Sequence, residues 1–384
     1  MKYIVIICRI LTGAVFTFSG FVKAIDPIGT SIKLNDYFEA MGLQFLSPFA
    51  LVFAFLLNAA ELGTGLLLLS NVMVSFASWV ALFFMLLFTP LTLWLAISNA
   101  VTDCGCFGDF IVMDNWQTFY KNAVIIVFVL FVFFFRNKFH YNFSKKFSFT
   151  IFGIIAILCF WFQIYNYRNE PIIDFRPFKV GASIIEGTTL PEGAKRDVYK
   201  SYLMYKNKKT GKVQQFDDTN YPWQDSLTWE FVATENILVE KGEEPKIHDF
   251  YISNSNGEDI TKFILKDENF SFLFASYSLE EADKEVFQNI EKLVKFAEVN
   301  NLKFYVLTSS SDEEIKKLSE TLPVILNFCK ADGKMLKTMI RSNPGLIMLK
   351  SGVVHGKWAA KNIPTTEEFQ NYFIENQKLQ NTKP

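Results

Sequence analysis

"NWQTFYKNAVIIVFVLFVFFFRNKFHYNFSKK", Asn115 to Lys146, places the chain in a membrane. From Ala123 to Phe135 every residue is apolar. Extended back through Trp116 and Tyr120, side chains suited to the bilayer interface, the run reaches the ~20 residues that a spanning helix needs. The following loop, Arg136 to Lys146, carries four Lys/Arg and no acid. By the positive-inside bias that loop is cytoplasmic.

Four more apolar runs lie at Ile4 to Phe21, Phe49 to Leu69, Val72 to Ile97 and Phe147 to Tyr165. Five such runs joined by short polar stretches predict five spans rather than buried core helices. Lys2 and the small residues Ser19 and Gly20 give the first run features of a secretory signal, but Arg9 interrupts it and a second span follows, so it reads as a retained helix. Alternation from the Arg136 loop puts Met1 and the Leu69–Val72 turn inside. The Ala24–Pro48 and Ser98–Asn122 loops, and everything after Tyr165, fall outside. Charge follows the same division: the first 168 residues hold ten of the 38 Lys+Arg and seven of the 39 Asp+Glu. A nearly uncharged membrane part therefore precedes a charged soluble part. Neither has a dense basic stripe, which argues against nucleic acid as a partner.

"VTDCGCFGDF", Val101 to Phe110, sets two thiols one glycine apart on the side where thiols are paired, metal-bound or engaged in exchange. A bond between Cys104 and Cys106 closes only a three-residue ring and restricts little of the unfolded chain. Gly105 allows the sharp bend that brings the sulfurs together. Thiol–disulfide exchange suits this pair better than stapling. A metal site would need about four ligands, and only His248 and His355 are further donors on that face; an unreactive loop pair is the other alternative. Cys8 and Cys159, inside spans, read as small apolar packers, and Cys329 stands alone.

Arg9 and Glu61 are costly in a bilayer and are expected to pair, since counting from the cytoplasmic ends of their helices puts them at similar depth. Asn58, one turn from Glu61, extends this polar patch. Lys23 emerges near the level of the cysteine loop, where a cation favours a thiolate.

"RILTGAVFTFSGFVKAIDPIG", "NAAELGTGLLLL" and "LWLAISNAVTDCGCFGDFIVMDNWQTFYKN" resemble the DoxX-like membrane superfamily, particularly its methylamine-utilisation MauE branch, over roughly Met1 to Phe135. The resemblance implies an all-α transmembrane four-helix bundle, residues 1–136, related in architecture to quinone-coupled disulfide-forming proteins. It implies Cys104 and Cys106 as the redox pair, a quinone as electron acceptor, and an exported or periplasmic protein as client; the ligand count leaves no metal expected. It also implies a bacterial inner membrane, with the amino terminus cytoplasmic and the carboxy-terminal region periplasmic. The MauE branch is implicated in maturing a disulfide-rich periplasmic subunit. A fifth spanning helix, residues 147–167, and the long soluble region depart from that pattern.

Residues 168–245 show tyrosines, turn residues and no helical period, as in "KNKKTGKVQQF" with a hairpin turn at Thr210-Gly211, and read as a β-rich or irregular segment. From residue 246 to 376 the pattern is a hairpin around Asn256-Gly257, a buried strand "FSFLFAS", an amphipathic helix, the strand "KFYVLTSS", a helix from Asp312, a strand pair and a last helix from Thr365. This order resembles an extracytoplasmic α/β thioredoxin-like domain. Asn343 and Pro344 stand where that fold faces its substrate, and are the expected client-docking residues. Where such a domain carries Cys-x-x-Cys, this chain has "FASYSLEEADKE". Exchange therefore rests with the membrane pair. Two other functions stay open: a non-enzymatic assembly factor that docks a secreted client, and a carrier of a small sulfur-containing or lipid-soluble compound on the Arg9–Glu61 patch.

Overall fold

The protein is seen in a computed structural model that describes residues 2–139, 144–190, 193–196, 198–240, 242–247, 250–288 and 290–381. Two compact units result, one of residues 1–182 with 251–384, the other of residues 183–250.

The first unit opens with α1 (Lys2–Ile25), α2 (Pro27–Ala40), a 3-10 turn at Gln44–Phe49, α3 (Ala50–Leu69), α4 (Val74–Ser98), α5 (Asn115–Phe134) and α6 (Lys145–Arg168). All but α2 are long and apolar enough to cross a membrane, so the chain is a multi-pass membrane protein. The helix α2 lies in the Ala24–Pro48 stretch that reads as loop. Its start signal is legible: Asp26 caps it by accepting from the Gly29 N–H at 2.9 Å, and Pro27 opens the first turn.

The helices α1, α3, α4 and α5 share one buried cluster that includes Phe16, Leu68, Ala77, Phe84 and Val129. The fifth spanning helix, α6, packs outside it, with Cys159 against Ala24, Ala59 and Leu62, and Phe162 stacked on Phe21 at 5.5 Å. Glycines set the closest approach. A Cβ on Gly20 would lie 2.3 Å from the Leu62 nitrogen, and one on Gly65 would lie 2.3 Å from the Thr17 nitrogen. The backbones of α1 and α3 meet there, and these contacts fix their antiparallel register. Gly20→Ala is expected to destabilise the protein by about 1–3 kcal/mol, the usual cost of overpacking. Gly63→Ala, whose Cβ meets only Ile155 at 3.8 Å, is expected to leave the melting temperature in detergent unchanged. Equal melting of the two variants would refute this packing.

The second unit has a short helix α7 (Ile184–Thr188) capped by Ser183, then β1 (Val198–Asn207), β2 (Val213–Asp217) and β3 (Trp229–Glu240). These strands form an antiparallel sheet in the order β2-β1-β3. Gly211, at φ +72°, supplies the left-handed residue of the β1–β2 turn. Tyr205 packs edge-on to both Phe216 and Phe231 on that sheet.

The chain then returns to the first unit and builds an α/β region. Its elements are β4 (Ile252–Ser253), α8 (Thr261–Leu265), β5 (Ser271–Ser276), α9 (Lys284–Gln288), α10 (Ile290–Val299), β6 (Lys303–Thr308), α11 (Asp312–Ser319), β7 (Phe328–Ala331), α12 (Gly333–Met339), β8 (Gly345–Lys350), β9 (Val353–Ala359) and α13 (Thr366–Asn381). The sheet order is β4-β7-β6-β5-β8-β9; β5, β6 and β7 run parallel, and β8 and β9 are antiparallel to their neighbours. Every residue of β5 is buried, as its unbroken apolar run suggests. The expected hairpin around Asn256-Gly257 forms as a narrow one, with an antiparallel bridge between Ser253 and Asp259 and the Ile260 N–H donating to the Ile252 carbonyl at 3.0 Å; its first arm, β4, also pairs with β7, and its second runs into α8.

Candidate functional site

The Cys104–Gly105–Cys106 loop follows α4 and is held by α1, α2 and the start of α5. Gly105 sits at φ +63°, and the Cys104 and Cys106 sulfurs lie 2.7 Å apart as free thiols. The Ser19 hydroxyl on α1 donates to the Cys106 carbonyl at 2.6 Å, and the Tyr37 hydroxyl on α2 donates to the Cys104 carbonyl. Asp103 accepts from the Gly105 N–H at 2.9 Å and pairs with Lys33 at 2.6 Å. Asn115 on α5 donates to the Val101 carbonyl at 2.9 Å. Both cysteine carbonyls are thus fixed from neighbouring helices, while the thiols face each other.

Below the loop, Lys23 and Glu61 form a buried ion pair at 2.7 Å. Asn58, fully buried, donates to the Lys23 carbonyl at 3.1 Å and to the Thr30 hydroxyl at 3.3 Å. The expected Arg9–Glu61 pair does not form. With Gly20 against Leu62 and Gly13 against Leu69, Glu61 faces the level of residue 21 on α1. That is twelve residues from Arg9, or about 18 Å. Counting depth from helix ends fails because α1 begins beyond the end of α3. Arg9 donates instead to the Leu68 carbonyl at 2.6 Å and lies 5.5 Å from the Phe139 ring.

The thiols and the ion pair line one cavity of about 780 Å³, walled by α1 to α5 and including Tyr37, Phe88, Trp94 and Asn122. The two thiols differ. The Cys104 thiol, hydrogen-bonded to Cys106 and buried, is pushed well up. Cys106 is held below the ordinary thiol range by the hydrogen bond from Cys104, helped by the Lys121 and Lys23 charges, against the cost of burial. These contacts favour the thiolate at Cys106 over Cys104. Its alkylation should reach half-maximal rate below the pH of an ordinary thiol, and Lys121→Gln should move that midpoint up. A midpoint equal to that of free cysteine in both proteins would remove the assignment.

The remaining sequence-derived candidates lie elsewhere. Cys8 and Cys159 are buried among apolar side chains of the membrane helices. Burial in β7 raises the Cys329 thiol to about 11. His355 packs edge-on to Phe270, and His248 lies outside the described residues. Among the described residues, no three His, Cys, Asp or Glu side chains gather as a metal site.

Asn343 and Pro344, the expected docking residues, are tied into the α/β region. Pro344 is buried and follows a cis peptide bond. The Asn343 amide accepts from the Ser276 hydroxyl at 2.7 Å and donates to the Ser278 carbonyl at 2.8 Å. Two residues earlier, Arg341 makes the outward contact: it grips Asp26 at the start of α2 at 2.6 Å, and its N–H donates to Glu170 at 2.9 Å. Burial alone would raise the Asp26 carboxyl, but the Arg341 charge and hydrogen bonds hold it below its ordinary value. A second buried cluster joins Arg176 to Glu170 (2.6 Å) and Asp174 (2.7 Å), and Lys357 on β9 to Asp174 (2.7 Å). The α/β region is thus clamped to the cysteine-loop end of the membrane helices by charges nearly free of solvent.

Ser19, Lys33, Tyr37 and Lys121 escape a reading of the sequence alone. They are ordinary residues in their own segments and become site residues only through helix register.

Residues 1–135, about a third of the chain, match the family model described as methylamine utilisation protein MauE. That match ends at the close of α5 and takes in both cysteines and the whole cavity lining. Residues 199–241, which hold β2, β3 and all but the first residue of β1, match a domain of unknown function, DUF8463. No curated protein and no solved structure matches the chain.

Proposed function

We propose that this protein is a membrane thiol–disulfide oxidoreductase that forms disulfides in an exported client through Cys104 and Cys106. The observation that carries this reading is the pair itself. Two sulfurs 2.7 Å apart, one favoured as thiolate, sit on a loop held by its carbonyls at the rim of a large cavity. Closing them to a bond needs less than about an ångström of further approach.

In the forward direction the pair starts as a disulfide; a client thiolate attacks the sulfur of Cys106, the less buried of the two cysteines, and Cys104 leaves with the bonding electrons. A second client thiol then attacks the client sulfur of the mixed disulfide. The client disulfide forms, and Cys106 departs as a thiolate stabilised by Lys121 and Lys23. Two electrons have passed from the client dithiol to the pair. The lining suits a quinone, with apolar walls for its body and Lys23 and Asn122 as polar groups for its head. A quinone held there would take up two electrons and two protons as the pair returns to the disulfide.

In this reading the α/β region is thioredoxin-like, with a parallel centre, two antiparallel strands after it, and Pro344 ahead of β8. Its Tyr277–Glu281 stretch after β5 has no cysteine, so the region docks and the membrane pair exchanges. The cysteine loop and the α/β region lie on the exported side of a bacterial inner membrane. The absence of an exposed thiol in the α/β region favours a second reading, an assembly factor that holds its client without chemistry. The carrier reading weakens, because the Arg9–Glu61 patch behind it is split.

The test is mass-tag alkylation of the chain in membranes, before and after addition of a reduced, unfolded disulfide protein. Cys104 and Cys106 are expected to change from protected to tagged together as the added protein gains its disulfides. A pair that stays in one state while the client oxidises at the background rate overturns the oxidoreductase reading.

A further inference from the structure

The cavity has two unlike ends. Beside the cysteines it is polar, where Lys23 and Glu61 form their buried pair. Away from them it is walled by one face of α3, Phe53, Leu56 and Ala60, and one face of α4, Leu87, Leu91 and Trp94. Both sets follow the three- and four-residue spacing of a helix stripe. These lining residues are not sealed in: Leu56 is 52% exposed, Leu87 46% and Phe53 39%. At the other end of the same two helices Leu67, Leu68, Val72, Val74 and Ala77 are at most 2% exposed. The helices bury their residues at the connecting turn; toward the cysteine loop α2 spans the parting between them, with Phe38 on Phe53 at 6.2 Å and Tyr37 and Leu34 packed with Leu95 and Trp94, and leaves Leu56 and Leu87 uncovered below it. All six wall residues lie within candidate spans, so the parting faces acyl chains rather than water.

We infer that the cavity admits a lipid-soluble molecule with a neutral polar head directly from the bilayer, through the gap between α3 and α4. Charge balance selects the head. Lys23 is neutralised by Glu61 and Lys33 by Asp103, and the Lys121 ammonium lies over the Phe107 ring at 4.3 Å. Among the described lining residues, each of the three lysines already has such a contact, which leaves none committed to a phosphate or carboxylate. The inference rests on the redox reading only for what the molecule does, not for whether it binds.

Trp94 provides a built-in reporter. The protein in vesicles should lose Trp94 fluorescence on addition of a decyl-tailed benzoquinone, with the difference signal absent from Trp94→Phe. Oleate should not compete. Leu56→Phe with Leu87→Phe should slow the quenching at least tenfold, and acyl chains brominated at mid-length should quench Trp94 in the unmutated protein. The double Cys104→Ser, Cys106→Ser protein should still bind, which separates this inference from the redox one. Absence of Trp94-dependent quenching, equal competition by oleate, or failure of brominated chains to reach Trp94 would each overturn it.

Discussion

Cys106→Ser is expected to lower the rate of client oxidation to background, by at least on the order of 10³-fold, the scale on which loss of a nucleophile acts. Cys104→Ser should be as inactive in turnover yet behave differently on a non-reducing gel. Presented with the oxidised client, it keeps the Cys106 sulfur beside Lys121 and Lys23 to attack the client disulfide and release one client thiolate, but has no Cys104 to displace the client from the adduct, so a mixed disulfide should accumulate. Cys106→Ser leaves only Cys104, buried and pushed well above the ordinary thiol range, and should accumulate little. Cys329→Ala should change neither, since that thiol is buried in β7. Equal trapping by the two serine variants would show that the pair lacks the asymmetry assigned to it, and wild-type turnover in either would end the redox reading.

Glu61→Ala is expected to cost about 3–5 kcal/mol, the scale for leaving one partner of a buried ion pair uncompensated. The stranded group would be the Lys23 ammonium, in side-chain surroundings only 8% exposed and with its carboxylate at 2.7 Å removed. Lys23→Met combined with Glu61→Leu should recover most of the loss, because two apolar groups of similar size leave no charge unpaired. Arg9→Gln should add to Glu61→Ala independently, since the two residues share no partner and additivity holds for such sites. Thermal unfolding in detergent measures all four proteins. A Glu61→Ala protein that melts like wild type would show that water reaches the pair. Coupling between Arg9 and Glu61 would show that the register of α1 on α3 differs from that set by Gly20 and Gly65.

The membrane character of residues 2 to 168 is written in local composition. A run of about twenty apolar residues has no stable place in water whatever its neighbours do. The spans, the polar stretch with two thiols and the change to a charged second part follow from reading along the chain. The start of α2 carries a local signal at Asp26-Pro27, where cap chemistry acts within four residues, although the stretch reads as a loop between spans. The partner of Glu61 has no such signal. Which cation reaches it depends on how far one helix slides along another, and that offset is set by glycines on facing helices that allow backbone contact at Leu62 and Thr17. One turn of slip moves a side chain by 5.4 Å, enough to exchange one ion pair for another. The same holds for Tyr37 and Ser19, which become site residues by arriving beside a loop 67 and 87 residues away, and for Lys121, placed by the turn of α5. It holds too for Arg341, whose partner Asp26 is 315 residues distant. Local sequence determined that two thiols stand together at the end of a membrane helix; only tertiary packing decided which charges, carbonyl locks and cavity they face.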